Sequence, residues 1–161
     1  MTAEPLLQEV QSARRFYLHP GQMFTGPEPT LVTTVLGSCV AICLWDPKTK
    51  VAGINHFLLA HNPLRGNDDA RYGNTACDRL LVAMWKRGAS VERMTARIFG
   101  GACVLHGPGP ERNAIGAQNA EVARQFLLRH RINIAADETG GTRGRKLLFD
   151  TGTGSAWLKE I

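Results

Sequence analysis

The chain has 161 residues, 43% of them hydrophobic and 20% charged, with a formal net charge of +5 and a pI near 9.3. That length suits one domain with a core of its own, and no window approaches the roughly 20 apolar residues of a spanning helix, so membrane insertion is not expected. The basic balance favours acidic partners, but Lys and Arg are scattered rather than gathered in a stripe with aromatics; nucleic-acid binding is therefore not expected, and an acidic protein surface uses the charge equally well.

Residues 1–13 carry neither a basic n-region nor an apolar h-region. No secretory signal is read there, the expected compartment is the cytoplasm, and the segment is expected to be a flexible terminus ahead of a domain spanning 14–161. Next, "RRFYL" and "TLVTTVL" have the β-branched and aromatic content of strands, with Pro20, Gly21 and "GPEP" breaking the chain between them. "VAICLW" and "VAGINHFLL" read as two further strands joined by the turn "DPKTK", and so as an antiparallel hairpin.

Two helices follow. Leu80, Leu81, Met84 and Trp85 make an apolar face ending at Gly88, and from Ile115 to His130 a second stripe runs through Ala120, Ala123, Phe126 and Leu127. "RMTARIF" lies between them as a strand, and "INIAAD", "RKLLFD" and "SAWLKEI" follow as three more. The early run of strands does not alternate with helices, so the fold class is α+β, with two main helices covering mixed or antiparallel sheets. The glycine clusters "FGGA", "GPGP", "TGGTRG" and "TGTG" fit turns better than phosphate loops.

The four cysteines, Cys39, Cys43, Cys77 and Cys103, are too sparse for a disulfide framework and are expected as thiols. Cys43, inside "VAICLW", reads as packed core. Cys39 differs, because Gly37 and Ser38 put it at a break between strands, where a thiol can be displayed beside outward-facing N–H groups. Those of Ser38 and Cys39 are the candidate oxyanion donors. A nucleophilic cysteine needs a base, and hairpin pairing brings His56, late in the second strand, back beside Cys39. Thr33 shares alternation parity with Cys39 and is the candidate to orient the imidazole, with Thr34 as its immediate competitor. Cys39, Cys43, His56 and His61 match usual zinc spacings poorly, so no metal or other cofactor is expected.

Taken together, "LHPGQMFTG", "TVLGSCVAICLWD", "GINHFLLAH", "RYGNTACDRLLVAMWKRGA", "RMTARIFGGA" and "IGAQNAEVARQFL" resemble the CheD family of chemoreceptor glutamine deamidases, from about Arg14 to the C-terminus. The resemblance implies catalytic cysteine, histidine and threonine residues, which fall on Cys39, His56 and Thr33. It also implies a layered α/β/β arrangement similar to cytotoxic necrotizing factor deamidases, chemoreceptors as protein substrates, and regulation by a CheC-type phosphatase. Two positions depart from the family pattern. Gln118 stands before Asn119 where an arginine is common, and "FLLAH" continues with Ala60 and His61 where a proline is common.

The expected reaction is conversion of a protein glutamine to glutamate through a Cys39 thioester, with His56 as base and then acid; methyl ester hydrolysis is a plausible side reaction. A nucleophile of this kind is expected to have a lowered thiol pKa. The alternatives are a non-catalytic adaptor binding a CheC-type phosphatase or receptors, and a cysteine protease.

Overall fold

The computed structural model describes residues 14–64, 68–104 and 110–161, with the side chains of 110–113 excepted. The expected flexible terminus and most of the expected "GPGP" turn lie outside the described residues. The elements run β1 (Arg14–Tyr17), β2 (Met23–Thr25), β3 (Thr30–Leu36), β4 (Val40–Asp46), β5 (Val51–Asn55), α1 (Gly73–Lys86), β6 (Thr95–Gly100), α2 (Pro110–Arg129), β7 (Asn133–Thr139), β8 (Arg145–Asp150) and β9 (Ser155–Glu160).

The strands form two sheets, one of four in the order β1-β3-β8-β9 and one of five in the order β2-β5-β4-β6-β7. Pairing is antiparallel except for β1 with β3 and β6 with β7. The α+β class with mixed sheets is thus the observed one. Strand β2, which pairs with β5, was not expected, since its three residues are too short to carry a period.

The layer order follows from the sequence of β4. "VAICLWD" is apolar at nearly every position, which suits a strand buried on both faces, and Val40, Ala41, Ile42 and Leu44 are all fully buried. One face, with Val40, Ile42 and Leu44, packs with Ala96 and Ile98 under Leu80 and Met84 of α1 and Ala123 and Phe126 of α2. The other face, with Ala41 and Cys43, meets Val32, Leu36, Leu147 and Phe149 of the four-stranded sheet. The result is helices over one sheet over a second, as the resemblance implied.

Helix α1 turns differently from the expected stripe. Ala76, Cys77, Leu80 and Met84 face inward, whereas Trp85 is 70% exposed. Ala76 and Cys77 lie one helical turn before the expected face and fix the rotation. The helix stops as expected, with Gly88 and Ala89 N–H groups donating to the Trp85 and Met84 carbonyls. In α2 the expected residues Ala120, Ala123, Phe126 and Leu127 are all buried.

At the far end of β4 the carboxylate of Asp46 is fully buried and holds the turn into β5. Burial opposes its charge, but hydrogen bonds from Arg93 and from the Ser90, Lys48 and Thr49 N–H groups prevail and keep it well below the usual carboxylate range.

Candidate active site

The chain crosses from the four-stranded sheet to the five-stranded one at Gly37-Ser38-Cys39, between β3 and β4. A crossing of this kind gives a turn at the open end of the inter-sheet layer. All three carbonyls of the turn are tied back. Gly37 accepts from Ala102 N–H at 2.9 Å, Cys39 from Gly101 N–H at 2.8 Å, and Ser38 from Asn119 Nδ2 at 3.0 Å. The N–H groups of Ser38 and Cys39, by contrast, donate to no carbonyl among the described residues. Donors beside a thiol that no carbonyl takes up are what an oxyanion site requires.

Cys39 is half-buried against the inter-sheet core. Burial pushes its thiol pKa up, and its own backbone N–H, which favours the thiolate, offsets this only in part. The expectation of a lowered thiol pKa is therefore corrected, because among the described residues no cation offsets the loss of solvent. Cys43 and Cys77 are buried core residues, each with its thiol pushed strongly upward by burial.

The β4–β5 hairpin forms with Cys43 opposite Ile54 and Leu44 opposite Gly53, and the same register continues past the end of β5 in a bridge between Val40 and Phe57. That register puts His56 opposite Ala41, and Cys39 lies two residues from Ala41 on the same face. Cys39 and His56 are thus diagonal neighbours, within reach of a ring side chain. His56 is 1% exposed, and its backbone is locked by Gly21 N–H donating to its carbonyl and its own N–H donating to Gln22.

The ring makes one hydrogen bond, from Nδ1 to Thr34 Oγ1 at 2.7 Å. The single hydroxyl proton of Thr34 is already committed to the Leu18 carbonyl, also at 2.7 Å, so Oγ1 accepts from the ring and Nδ1 carries the hydrogen. It follows that Nε2 holds the lone pair, and Nε2 is buried with no partner. Burial holds the imidazole pKa down at about 4, so the ring is neutral at pH 7. A neutral, correctly tautomerised imidazole on the face of the thiol is a competent base, although no hydrogen bond joins it to Cys39 in the free protein.

The ring's hydrogen bond does not go to Thr33. The parity argument extended β3 through the turn to Cys39, but the chain changes sheets there and alternation is not carried across. Within β3 it is Val32, Thr34 and Leu36 that are fully buried, while Val35, which shares parity with Thr33, is 40% exposed. The hydroxyl against His56 belongs to Thr34. Sequence reasoning also passed over Asn119 of α2, which is fully buried and reaches the nucleophile turn. His61 lies apart from Cys39, in a groove between the helices of about 540 Å³ with Asn74, Gln118 and Arg129.

Comparison with known proteins places the whole chain rather than the site. Residues 59–160 match the family model described as CheD chemotactic sensory transduction. The chain is 42% identical over 90% of its length to an Anaeromyxobacter dehalogenans protein named "Probable chemoreceptor glutamine deamidase CheD 1", 84% of which is covered. It is 39% identical to the similarly named protein of Sulfurimonas denitrificans, over 90% of this chain and 93% of that one. Among solved structures it is similar to a Neisseria meningitidis DUF152 protein at 11% identity and a TM-score of 0.45, over 86% of this chain and 68% of that one.

Proposed function

The chain belongs to the CheD family, and on that premise we propose that it is a chemoreceptor glutamine deamidase, hydrolysing side-chain amides of receptor glutamines to glutamate. The observation that carries the reading is the free, buried lone pair of His56 Nε2 on the same sheet face as Cys39.

His56 Nε2 takes the proton of Cys39, and the sulfur attacks the carbonyl carbon of the glutamine side chain. The negative charge that develops on the carbonyl oxygen is met by the N–H groups of Ser38 and Cys39, at about 3 kcal/mol per well-placed donor. The imidazolium then protonates the departing nitrogen, the C–N bond breaks to release ammonia, and the acyl group stays on Cys39 as a thioester. Nε2 next removes a proton from water, the hydroxide adds to the thioester, and Cys39 leaves and recovers its proton. The sum is glutamine plus water giving glutamate plus ammonia.

Thr34 is the positioning residue, accepting Nδ1–H throughout and stabilising imidazolium more weakly than a carboxylate would. The raised thiol pKa of Cys39 and the lowered imidazole pKa of His56 keep the resting pair neutral. The charge separation of the attack is then reached with substrate bound and water displaced. The reading includes action in the cytoplasm; a CheC-type phosphatase as regulator follows from the family resemblance, and methyl ester hydrolysis as a side reaction follows from the same thioester chemistry.

Ammonia release from purified receptor cytoplasmic domains tests the reading. Wild-type protein is expected to release it and the Cys39→Ala and His56→Ala variants are not; binding of the domains without release by wild type would support the adaptor alternative instead.

A further inference from the structure

Of the three carbonyls of the nucleophile turn, two are held by backbone N–H groups just beyond β6, and the third, that of Ser38, is held by a side chain from α2. The nitrogen that holds it, Asn119 Nδ2, donates its second hydrogen to the Leu58 carbonyl at 2.8 Å. Ser38 immediately precedes Cys39, and Leu58 lies two residues past His56. One amide nitrogen therefore bridges the segment bearing the nucleophile and the segment bearing the base, beyond the end of β5, where the hairpin retains only the single Val40–Phe57 bridge.

Resting on the deamidase reading, we propose that Asn119 is a positioning residue that fixes the separation of Cys39 and His56 by clamping the Ser38 and Leu58 carbonyls together.

Few side chains can do this. Asp has no hydrogen to give, Ser has one, and Gln is a methylene longer. Asn119 is fully buried, and with both amide hydrogens committed its Oδ1 has no partner. A buried acceptor left unpaired is destabilising, so packing alone would favour an apolar residue here. The molecule carries that cost where the two donors serve the site.

The clamp is itself held in place. One turn earlier on α2, a Cβ on Gly116 would lie 2.5 Å from the Gly101 carbonyl oxygen. The helix backbone thus rests directly on Gly101 and Ala102, whose N–H groups secure the other two carbonyls of the turn.

The test uses the full chain as wild type, Asn119→Asp and Asn119→Ser, with folding checked by circular dichroism. Two quantities are read: kcat and KM for ammonia release from receptor domains, and the pH profile of iodoacetamide alkylation at Cys39. Asn119→Asp is expected to lose about 10- to 100-fold in kcat, as a misplaced reacting group does, with KM within about twofold. Asn119→Ser, which keeps one donor, is expected to fall between, and it carries the test alone if the Asp variant does not fold. Both variants should alkylate faster than wild type at pH 8, because the released turn exposes the thiol. Variants with lowered thermal stability but wild-type kcat per folded molecule and a wild-type alkylation profile would overturn the proposal. The alkylation profile needs no deamidase activity, so a wild-type protein that releases no ammonia would overturn the deamidase reading while the profile still decides the role of Asn119.

Discussion

Thr34 and His56 meet across the two sheets, with Thr34 Oγ1 2.7 Å from His56 Nδ1. One residue stands on β3 of the four-stranded sheet and the other just past β5 of the five-stranded sheet. This single hydrogen bond joins the layers and selects the tautomer that leaves Nε2 free for proton transfer.

Thr34→Val keeps the volume but removes the acceptor, leaving a buried Nδ1–H unpaired. It is expected to cost about 1–3 kcal/mol of stability and about 10- to 100-fold in kcat. Thr33→Val is expected to stay within about twofold of wild type in kcat. Ammonia release and urea denaturation on both variants distinguish the observed contact from the family pattern, which falls on Thr33; a larger loss at Thr33 than at Thr34 would count against the geometry.

His56 has its pKa held by burial at about 4, against an ordinary 6.5. The unfolded chain gains its proton near 6.5 and the folded one only near 4, so acid favours unfolding through this group. The contribution is fully present above about pH 6.5 and declines as pH falls toward 4, by on the order of 3 kcal/mol. Urea denaturation should show the stability difference between wild type and His56→Gln shrinking between pH 7 and pH 4.5. Activity per folded molecule should persist to about pH 5, and an acid limb at 6.5 would contradict a buried, neutral base.

Cys39 in the free protein has a thiol pKa raised above its ordinary 9.0 by burial. In a Cys103→Ser background, where the other partly exposed thiol is gone, iodoacetamide should react slowly at pH 7 and accelerate only above pH 9. Rapid labelling at pH 7 would show a thiolate already formed in the resting protein, contrary to the neutral pair described above.

Gly100 sits at φ +106, and a Cβ there would collide with the Cys39 carbonyl. Gly100→Ala should therefore shift the nucleophile turn and lower kcat, beyond the about 1–3 kcal/mol of backbone strain. Gly140, at φ +88 with nothing within 4 Å of its Cβ position, is the control: Gly140→Ala carries similar strain but should leave kcat per folded molecule unchanged. Equal kcat in the two variants would mean that the turn tolerates displacement.

The α+β class was legible because the early run of strands does not alternate with helices, the layering came from the family resemblance, and the β4–β5 hairpin was legible from its short polar turn. The same hairpin located His56 beside Cys39. The third residue was not legible by the route taken, since side-chain parity holds only within a strand and the chain changes sheets at Gly37–Cys39. The burial of Thr34 between Val32 and Leu36 depends on which face of β3 meets the second sheet, and four apolar residues distributed over both parities of "TLVTTVL" do not say. Asn119 was beyond reach for a different reason. Its partners are backbone carbonyls 61 and 81 residues away, and carbonyl partners leave no trace in residue type.

The most direct test of the account is mass spectrometry of receptor cytoplasmic domains and of the protein itself, after incubation of the two and an acid quench. The account predicts glutamine-to-glutamate conversion at defined receptor positions with wild-type protein, a thioester adduct at Cys39 in the quenched sample, and neither with Cys39→Ala. Conversion that survives loss of Cys39, or an adduct on another residue, would contradict it.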